Sequence, residues 1–281
     1  MIDRMTQVAH LSDLHLLEDN HEDRRGAARR RLAYISLGRA YAPRARRERA
    51  ATALAAARRS GADHLVLTGD LTEDGIEAQF TILAELLDAS GWAAKRVTLI
   101  PGNHDAYAGG AAWAQALSGP LASYRATSTL GSPVRLPGLT ILPLSTSLAQ
   151  HYTRSSGAFQ DGALAGAARL AAESHRADEA LVLAMHHPPR RHPVPPLQWI
   201  DGFRDHAAAT TLLGAHDHVH VLHGHTHVAT DHAVRPGATP RIFSTEAVVD
   251  GASPLRLYTA RHGRLWPEAR AEVARLALAL A

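Results

Sequence analysis

The chain has 281 residues, 46% hydrophobic and 20% charged, a composition that supplies ample material for a folded core. It has no cysteine, which excludes disulfides, thiolate metal sites and cysteine nucleophiles, so any metal must be held by His, Asp, Glu or Asn. The formal charge is only +3, yet of 30 basic residues Lys95 alone is a lysine, and 19 residues are histidine. No stretch approaches the roughly 20 apolar residues of a membrane span. The chain enters its first predicted strand without a hydrophobic leader and cleavage site, so a cytoplasmic protein is the expectation.

Thr6 to Leu11 reads as the first strand, closed by Ser12-Asp13-Leu14-His15. Asp13 and His15 are two apart and share one face of an extended chain. Residues 19–49 hold ten arginines around Leu32, Tyr34, Ile35, Leu37 and Tyr41. The spacing favours a helical excursion packed through Leu32, Ile35 and Leu37. The other reading is a basic, partly apolar flap that meets a phosphate-bearing substrate or an anionic lipid surface, which would place the protein at the membrane periphery. An alanine-rich helix is predicted over 47–60 and stopped by Gly61, and a strand over 64–68 leads into Gly69-Asp70. A one-faced helix over 76–90 carries Phe80, Leu83, Leu86 and Leu87 on its apolar side. Strand 96–100 and the turn Gly102-Asn103-His104-Asp105 follow. Strand, helix, strand, helix, strand implies a parallel sheet with right-handed crossovers.

Residues 106–138 are rich in small residues, Gly and Pro and give no pattern; Trp113, Tyr124 and Arg125 are candidate cleft walls. A strand over 139–144, a helix over 161–174 and a strand over 181–185 come next, the last ending in His186-His187-Pro188-Pro189. The paired prolines stop it stiffly. Arg190, Arg191 and His192 continue a proline-rich loop. A helix over 203–213 precedes a strand over 219–222, which ends in His223-Gly224-His225-Thr226-His227. Late strands over 241–245 and 255–259 are expected to be antiparallel, and a C-terminal helix over 267–281 carries Val273, Leu276 and Leu280 on one face. No repeat or long linker divides the chain, so a single domain over 1–281 is expected.

Five polar clusters thus stand at predicted strand ends. They supply Asp13, His15, Asp70, Asn103, His186, His225 and His227. Such groups are costly in a core without partners, and parallel sheets place ligand sites at the carboxyl ends of their strands. Seven N/O donors exceed one tetrahedral ion. They suit two ions about 3.5–4 Å apart sharing a carboxylate, the arrangement used for displacement at phosphorus. Imidazole with carboxylate and no thiolate favours Mn, Fe, Zn or Co.

Asp13-Leu14-His15, Gly69-Asp70, Gly102-Asn103-His104-Asp105, His186-His187-Pro188 and Gly224-His225-Thr226-His227, in this order, resemble the calcineurin-like metallophosphoesterases over about residues 6 to 230. The resemblance is closest to a bacterial branch that includes class III cyclic-nucleotide phosphodiesterases. It implies an α/β fold, a four-layer αββα sandwich of two mixed β-sheets flanked by helices, with the metal site at the strand C-terminal rim. It implies that Asp13, His15 and His227 bind one ion, that Asn103, His186 and His225 bind a second, and that Asp70 bridges them. His104 is then the catalytic group beside the phosphoryl oxygens, and His186 rather than His187 is the ligand at the strand end. The implied activity is a phosphodiesterase in which a metal-bridging hydroxide attacks phosphorus in line. A phosphomonoesterase or pyrophosphatase on a nucleotide or lipid-linked substrate uses the same residues. A metal-binding scaffold of this fold would have lost part of the set or His104, and all eight positions are occupied here.

Arg190, Arg191 and His192 are candidates for binding a small phosphoester substrate, or form a solvated loop. His216, His218, His220 and His223 read as structural or surface residues. Nucleic acid is not expected as a partner, because the net charge is near neutral. The 57-residue separation of Asp13 and Asp70 is long for this family, and the excess is the Arg-rich segment.

Overall fold

The structure, a computed structural model, describes residues 5–251 and 254–269. In chain order the first half forms β1 (Thr6–Leu11), α1 (Gly26–Ile35), α2 (Pro43–Arg59), β2 (His64–Thr68), α3 (Glu77–Ala89), β3 (Val97–Ile100), α4 (Ala112–Ser118) and α5 (Arg125–Ser128). The second half forms β4 (Val134–Leu136), β5 (Leu139–Pro143), α6 (Ala163–Arg176), β6 (Ala180–Ala184), α7 (His206–Ala215), β7 (Val219–His223), β8 (Asp231–His232), β9 (Ile242–Ser244), β10 (Arg256–Arg261) and β11 (Arg264–Pro267).

Two mixed sheets result, ordered β11-β10-β1-β2-β3 and β4-β5-β6-β7-β9-β8. The chain's alternating strands and helices give the parallel cores β1-β2-β3 and β5-β6-β7-β9. Antiparallel strands close the edges. Every residue of β2, β3, β5, β6 and β7 is buried, so these strands are mostly apolar on both faces, with buried polar exceptions such as His64, Thr98, Thr140 and His220. Three apolar layers hold the sandwich. Leu54 of α2 and Phe80, Leu83 and Leu87 of α3 pack on Leu65, Leu67 and Leu99 of the first sheet. Val8, Val66 and Ile100 meet Ile141, Val182, Leu222 and Phe243 between the sheets. Leu170 of α6 and Leu212 and Leu213 of α7 cover Leu181, Leu183 and Val221 on the far side. This is the expected four-layer αββα arrangement.

Polar strand residues find lateral partners inside the sandwich. His10 Nε2 meets Thr68 Oγ1 at 2.7 Å and His64 Nε2 meets Thr98 Oγ1 at 2.8 Å, while His220 Nε2 accepts from the Leu265 amide at 3.1 Å. These bonds pair one nitrogen of each ring, while the three Nδ1 atoms are buried without a partner; all three histidines serve the interior of the sandwich.

Several expectations need correction. The late strands are antiparallel only in part: β10 pairs antiparallel with β1 in the first sheet, whereas β9 runs parallel to β7 and antiparallel to β8 in the second. Pro267 ends β11 instead of opening a helix, and the remainder of that predicted helix, with Val273, Leu276 and Leu280, lies outside the described residues. Trp113 and Tyr124 are not cleft walls but core residues beside α3. In the Arg-rich segment Leu32 and Ile35 are buried, whereas Leu37 is 72% exposed because α1 ends at Ile35 and turns away. The helix expected from Phe203 begins at His206, with Phe203 itself buried beneath it. Among the described residues no helix is long and apolar enough to cross a membrane.

Candidate metal centre

The loops that leave the C-terminal ends of β1, β2 and β3 in one sheet and of β6 and β7 in the other meet at one rim. Parallel pairing puts those ends side by side, and the sandwich brings the two sheets' rims together. Three groups of donors form there: Asp13, His15 and His227; His15, Asp70 and His104; Asp13, Asp70 and His186. Within each group the donor atoms lie within 4.8 Å of one another. Asn103 joins through Oδ1, 3.2 Å from His186 Nε2. His225 joins through its amide, 3.2 Å from Asp13 Oδ2, with its ring 5.1 Å from that of His186. Six of the seven predicted ligands and His104 therefore bring side-chain donors into one cluster, and His225 stands beside it with its ring outside the three groups. Asp13, His15, Asp70, Asn103, His104 and His186 are buried in it.

The backbone is distorted to achieve this. Asp13, His15, Asp70, His225 and His227 have φ between 47° and 69°. Only two other described non-glycine residues do so, Asp178 after α6 and His262 in the β10–β11 turn. Left-handed backbone costs a non-glycine residue about 1–3 kcal/mol and persists where the surroundings impose it, typically at functional sites. Adjacent glycines give the required clearance. A Cβ on Gly102 would overlap the Asp70 carboxylate, and one on Gly69 would stand 2.6 Å from His186 Nδ1.

Each imidazole is aimed by its other nitrogen. His186 Nδ1 donates to the Thr68 carbonyl at 2.8 Å, His104 Nδ1 to the Glu73 carbonyl at 2.6 Å, and His227 Nδ1 binds Asp250 Oδ2 at 2.8 Å. A carbonyl only accepts, so the Nδ1 atoms of His186 and His104 carry hydrogen and their Nε2 atoms face the cluster. His225 is held the other way round, with Nε2 3.0 Å from Asp201 Oδ1. His15 Nδ1 lies 3.2 Å from Glu73 Oε2, off the line of a good hydrogen bond, and His15 Nε2 is buried with no protein partner. Orienting a ligand through its far nitrogen is how proteins prepare histidines for metals.

Charge is equally concentrated. Burial alone would raise Asp70, yet His186, His104 and His15 hold its carboxyl well below the usual range. Burial would lower His186, but Asp70 and Asp13 carry it up to about 9. Burial likewise opposes, and Asp13 and Asp250 overcome, the rise of His227 to about 9. For His15, burial together with Arg39 and His104 pushes the ring down to about 3, leaving it neutral with a lone pair to give. A dry all-N/O donor set around two carboxylates, with an orphaned imidazole nitrogen aimed into it, fits divalent transition-metal ions.

Other predicted residues take different places. His187 uses both nitrogens on the protein, Nδ1 with Thr146 Oγ1 at 2.8 Å and Nε2 with the Ser155 carbonyl at 2.7 Å. His192 Nε2 lies 3.8 Å from Asp201 Oδ2, Arg190 Nη1 lies 3.4 Å from His232 Nδ1, and Arg191 is exposed. His218 donates to the Ala171 carbonyl through Nε2, and His223 donates to the Gly224 carbonyl through Nδ1. Sequence reasoning missed the supporting acids Glu73, Asp201 and Asp250, and named Asp105 in its motif without giving it a role. Asp105 accepts from the amides of Leu71, Thr72 and Gly102 and from Thr72 Oγ1, tying the Asp70 loop to the Asn103 loop. Its place directly after His104 was a usable signal; Asp201 and Asp250 sit in loops that carry none.

The sequence profile of the calcineurin-like phosphoesterase family matches residues 6–229. No curated protein matches the chain. Among solved structures, a dimetal phosphatase from Danio rerio superposes with a TM-score of 0.65 at 15% identity, covering 90% of this chain and 92% of that one. The protein TT1561 of Thermus thermophilus superposes with a TM-score of 0.55 at 12% identity, covering 94% and 99%. At these identities the likeness is one of fold.

Proposed function

Because the chain belongs to the calcineurin-like phosphoesterase family, we propose that it is a binuclear metal-dependent hydrolase of small phosphoesters, acting on phosphodiesters. One observation carries this reading. A single oxygen, Oδ2 of Asp70, stands 3.8 Å from His15 Nε2, 3.3 Å from His186 Nε2 and 4.0 Å from His104 Nε2. A carboxylate so placed can serve two ions, one with Asp13, His15 and His227 and the other with Asn103, His186 and His225. Mn, Fe, Zn or Co suits these donors. Divalent ions held there would supply a nucleophile at neutral pH and neutralise charge on the phosphoryl oxygens.

The chain's own residues do the rest. His104 keeps its Nδ1 hydrogen on the Glu73 carbonyl, so Nε2 is the atom presented to substrate. Placed there, it would stabilise or protonate a phosphoryl or leaving-group oxygen, a role worth about 10²–10⁴-fold in rate. Arg190, Arg191 and His192 are candidates for meeting the outer part of the substrate, since His192 and the site residue His225 share Asp201. The test is hydrolysis of bis(p-nitrophenyl) phosphate beside p-nitrophenyl phosphate by metal-free protein reconstituted with Mn²⁺. Preference for the diester is expected, with His104→Ala losing turnover while still binding the ions. Preference for the monoester would instead make the protein a phosphomonoesterase.

A further inference from the structure

The Arg-rich segment, without a task in the reaction above, reaches the metal centre from behind. Its anchor is Glu73, fully buried and three residues beyond Asp70. Oε1 of Glu73 accepts from Ser36 Oγ and from Arg39 Nη2 at 3.1 Å, and Oε2 accepts from Arg46 Nη1 at 2.7 Å. Arg46, itself only 2% exposed, donates also to the carbonyls of His15 and Ala40, each at 2.8 Å. The next acid, Asp74, is held by a forked pair of bonds from Arg24 at 2.7 and 2.9 Å and by Arg31 at 2.7 Å. Four of the ten arginines thus point inward onto two adjacent buried carboxylates. A buried carboxylate needs such compensation to remain charged. What distinguishes Glu73 is its other side, which faces the site: Oε2 lies 3.2 Å from His15 Nδ1, and the carbonyl holds His104 Nδ1 at 2.6 Å.

We infer that residues 24–46 form a positioning element of the metal centre, in which Ser36, Arg39 and Arg46 fix Glu73, whose carbonyl holds the ring of His104 and whose carboxylate backs that of His15 by charge. The inference rests on the proposed function, because it takes His15 as a metal ligand. Losing the outer partner of a ligating histidine typically weakens metal binding about 10–100-fold. Coupling of this kind is reciprocal, so loading the ion must also steady the segment. Arg39 and Arg46 are positioning residues; neither touches substrate.

The test uses the full chain, stripped of metal, with Mn²⁺ as probe. Calorimetry follows ion binding to wild type, Glu73→Gln, Arg39→Met and Arg39→Lys, and amide hydrogen exchange follows residues 24–46 with and without Mn²⁺. Arg39→Met and Glu73→Gln should each weaken one Mn²⁺ equivalent by about 10–100-fold while sparing the other. Arg39→Lys should recover part of the loss, and Mn²⁺ should slow exchange across 24–46 in wild type. Should Glu73→Gln not fold, Arg39→Met decides alone, since its side chain is partly exposed. Wild-type Mn²⁺ affinities in a variant that merely melts earlier would overturn the inference and leave the proposed function standing. A wild-type protein that binds no Mn²⁺ would overturn both.

Discussion

Replacing Gly102 with alanine probes the closest approach in the site. Gly102 has ordinary negative-φ backbone, so the substitution strains no dihedral; the whole effect comes from the added methyl. That carbon would overlap Oδ1 and the amide nitrogen of Asp70 and stand 2.8 Å from its Cγ. Ordinary carbon contacts lie at about 3.5–4.0 Å, so the Asp70 carboxylate must retreat by roughly 1 Å. Misplacing a reacting group by that distance costs about 10²-fold in rate, and overpacking costs about 1–3 kcal/mol of stability. Gly166, inside α6, is the control, because a Cβ there meets nothing within 4 Å. Gly166→Ala should therefore stabilise by about 0.5–1 kcal/mol through helix propensity and leave activity alone. The assay is kcat on bis(p-nitrophenyl) phosphate at saturating Mn²⁺, with urea unfolding of the metal-free proteins. Wild-type turnover in Gly102→Ala would show that Asp70 does not need its observed position, and would refute the reasoning.

Acid should unfold the metal-free protein through its buried histidines. Burial and Arg96 hold His64 down at about 4, and burial with Arg241 and Arg264 holds His220 near 3, against 6.5 when unfolded. The unfolded chain therefore binds more protons below pH 6.5, so their stabilisation is complete above that value and lost as pH falls toward 4 and then 3. Urea midpoints between pH 7 and 4 should show less acid sensitivity in His64→Gln; an unchanged slope would contradict the assignment. Arg241, just before β9, donates to the carbonyls of Leu213, His216 and Val219 at 2.7, 2.7 and 2.8 Å, closing the end of α7. Arg241→Met should cost about 3–5 kcal/mol in urea unfolding, at about 1.5 kcal/mol per charge-assisted bond. Arg241→Lys should recover less than half of this, since one ammonium cannot reproduce the fork. Full rescue by lysine would argue against the three-carbonyl geometry.

The parallel cores were legible because β2, β3, β5, β6 and β7 are buried on both faces and so appear as short, mostly apolar runs. The segment 106–138 was not, since α4 and α5 span only seven and four residues and show no period. The late strands part company for a related reason. β9 and β10 look alike in sequence, and only the tertiary arrangement sends one to each sheet. At the site, the Asp-x-His and His-x-His spacings placed donors together without disclosing that their alternate residues adopt left-handed backbone. The supporting acids were harder. Glu73 lies beside Asp70 in the chain, but its role depends on Arg39 and Arg46 arriving from 34 and 27 residues away. Arginines read as a solvated or lipid-facing surface prove, for Arg24, Arg31, Arg39 and Arg46, to be internal counter-charges.

In the proposed function Asp70 unites two ion sites into one hydrolytic centre. Its most direct test is a Mn²⁺ titration of metal-free wild type and Asp70→Asn, counting bound ions while following diester hydrolysis. Two equivalents should bind to wild type, with hydrolysis appearing as the second is filled, and Asp70→Asn should lose tight binding of at least one ion together with hydrolysis. Full diester hydrolysis at a single equivalent, or wild-type hydrolysis by Asp70→Asn, would contradict the account.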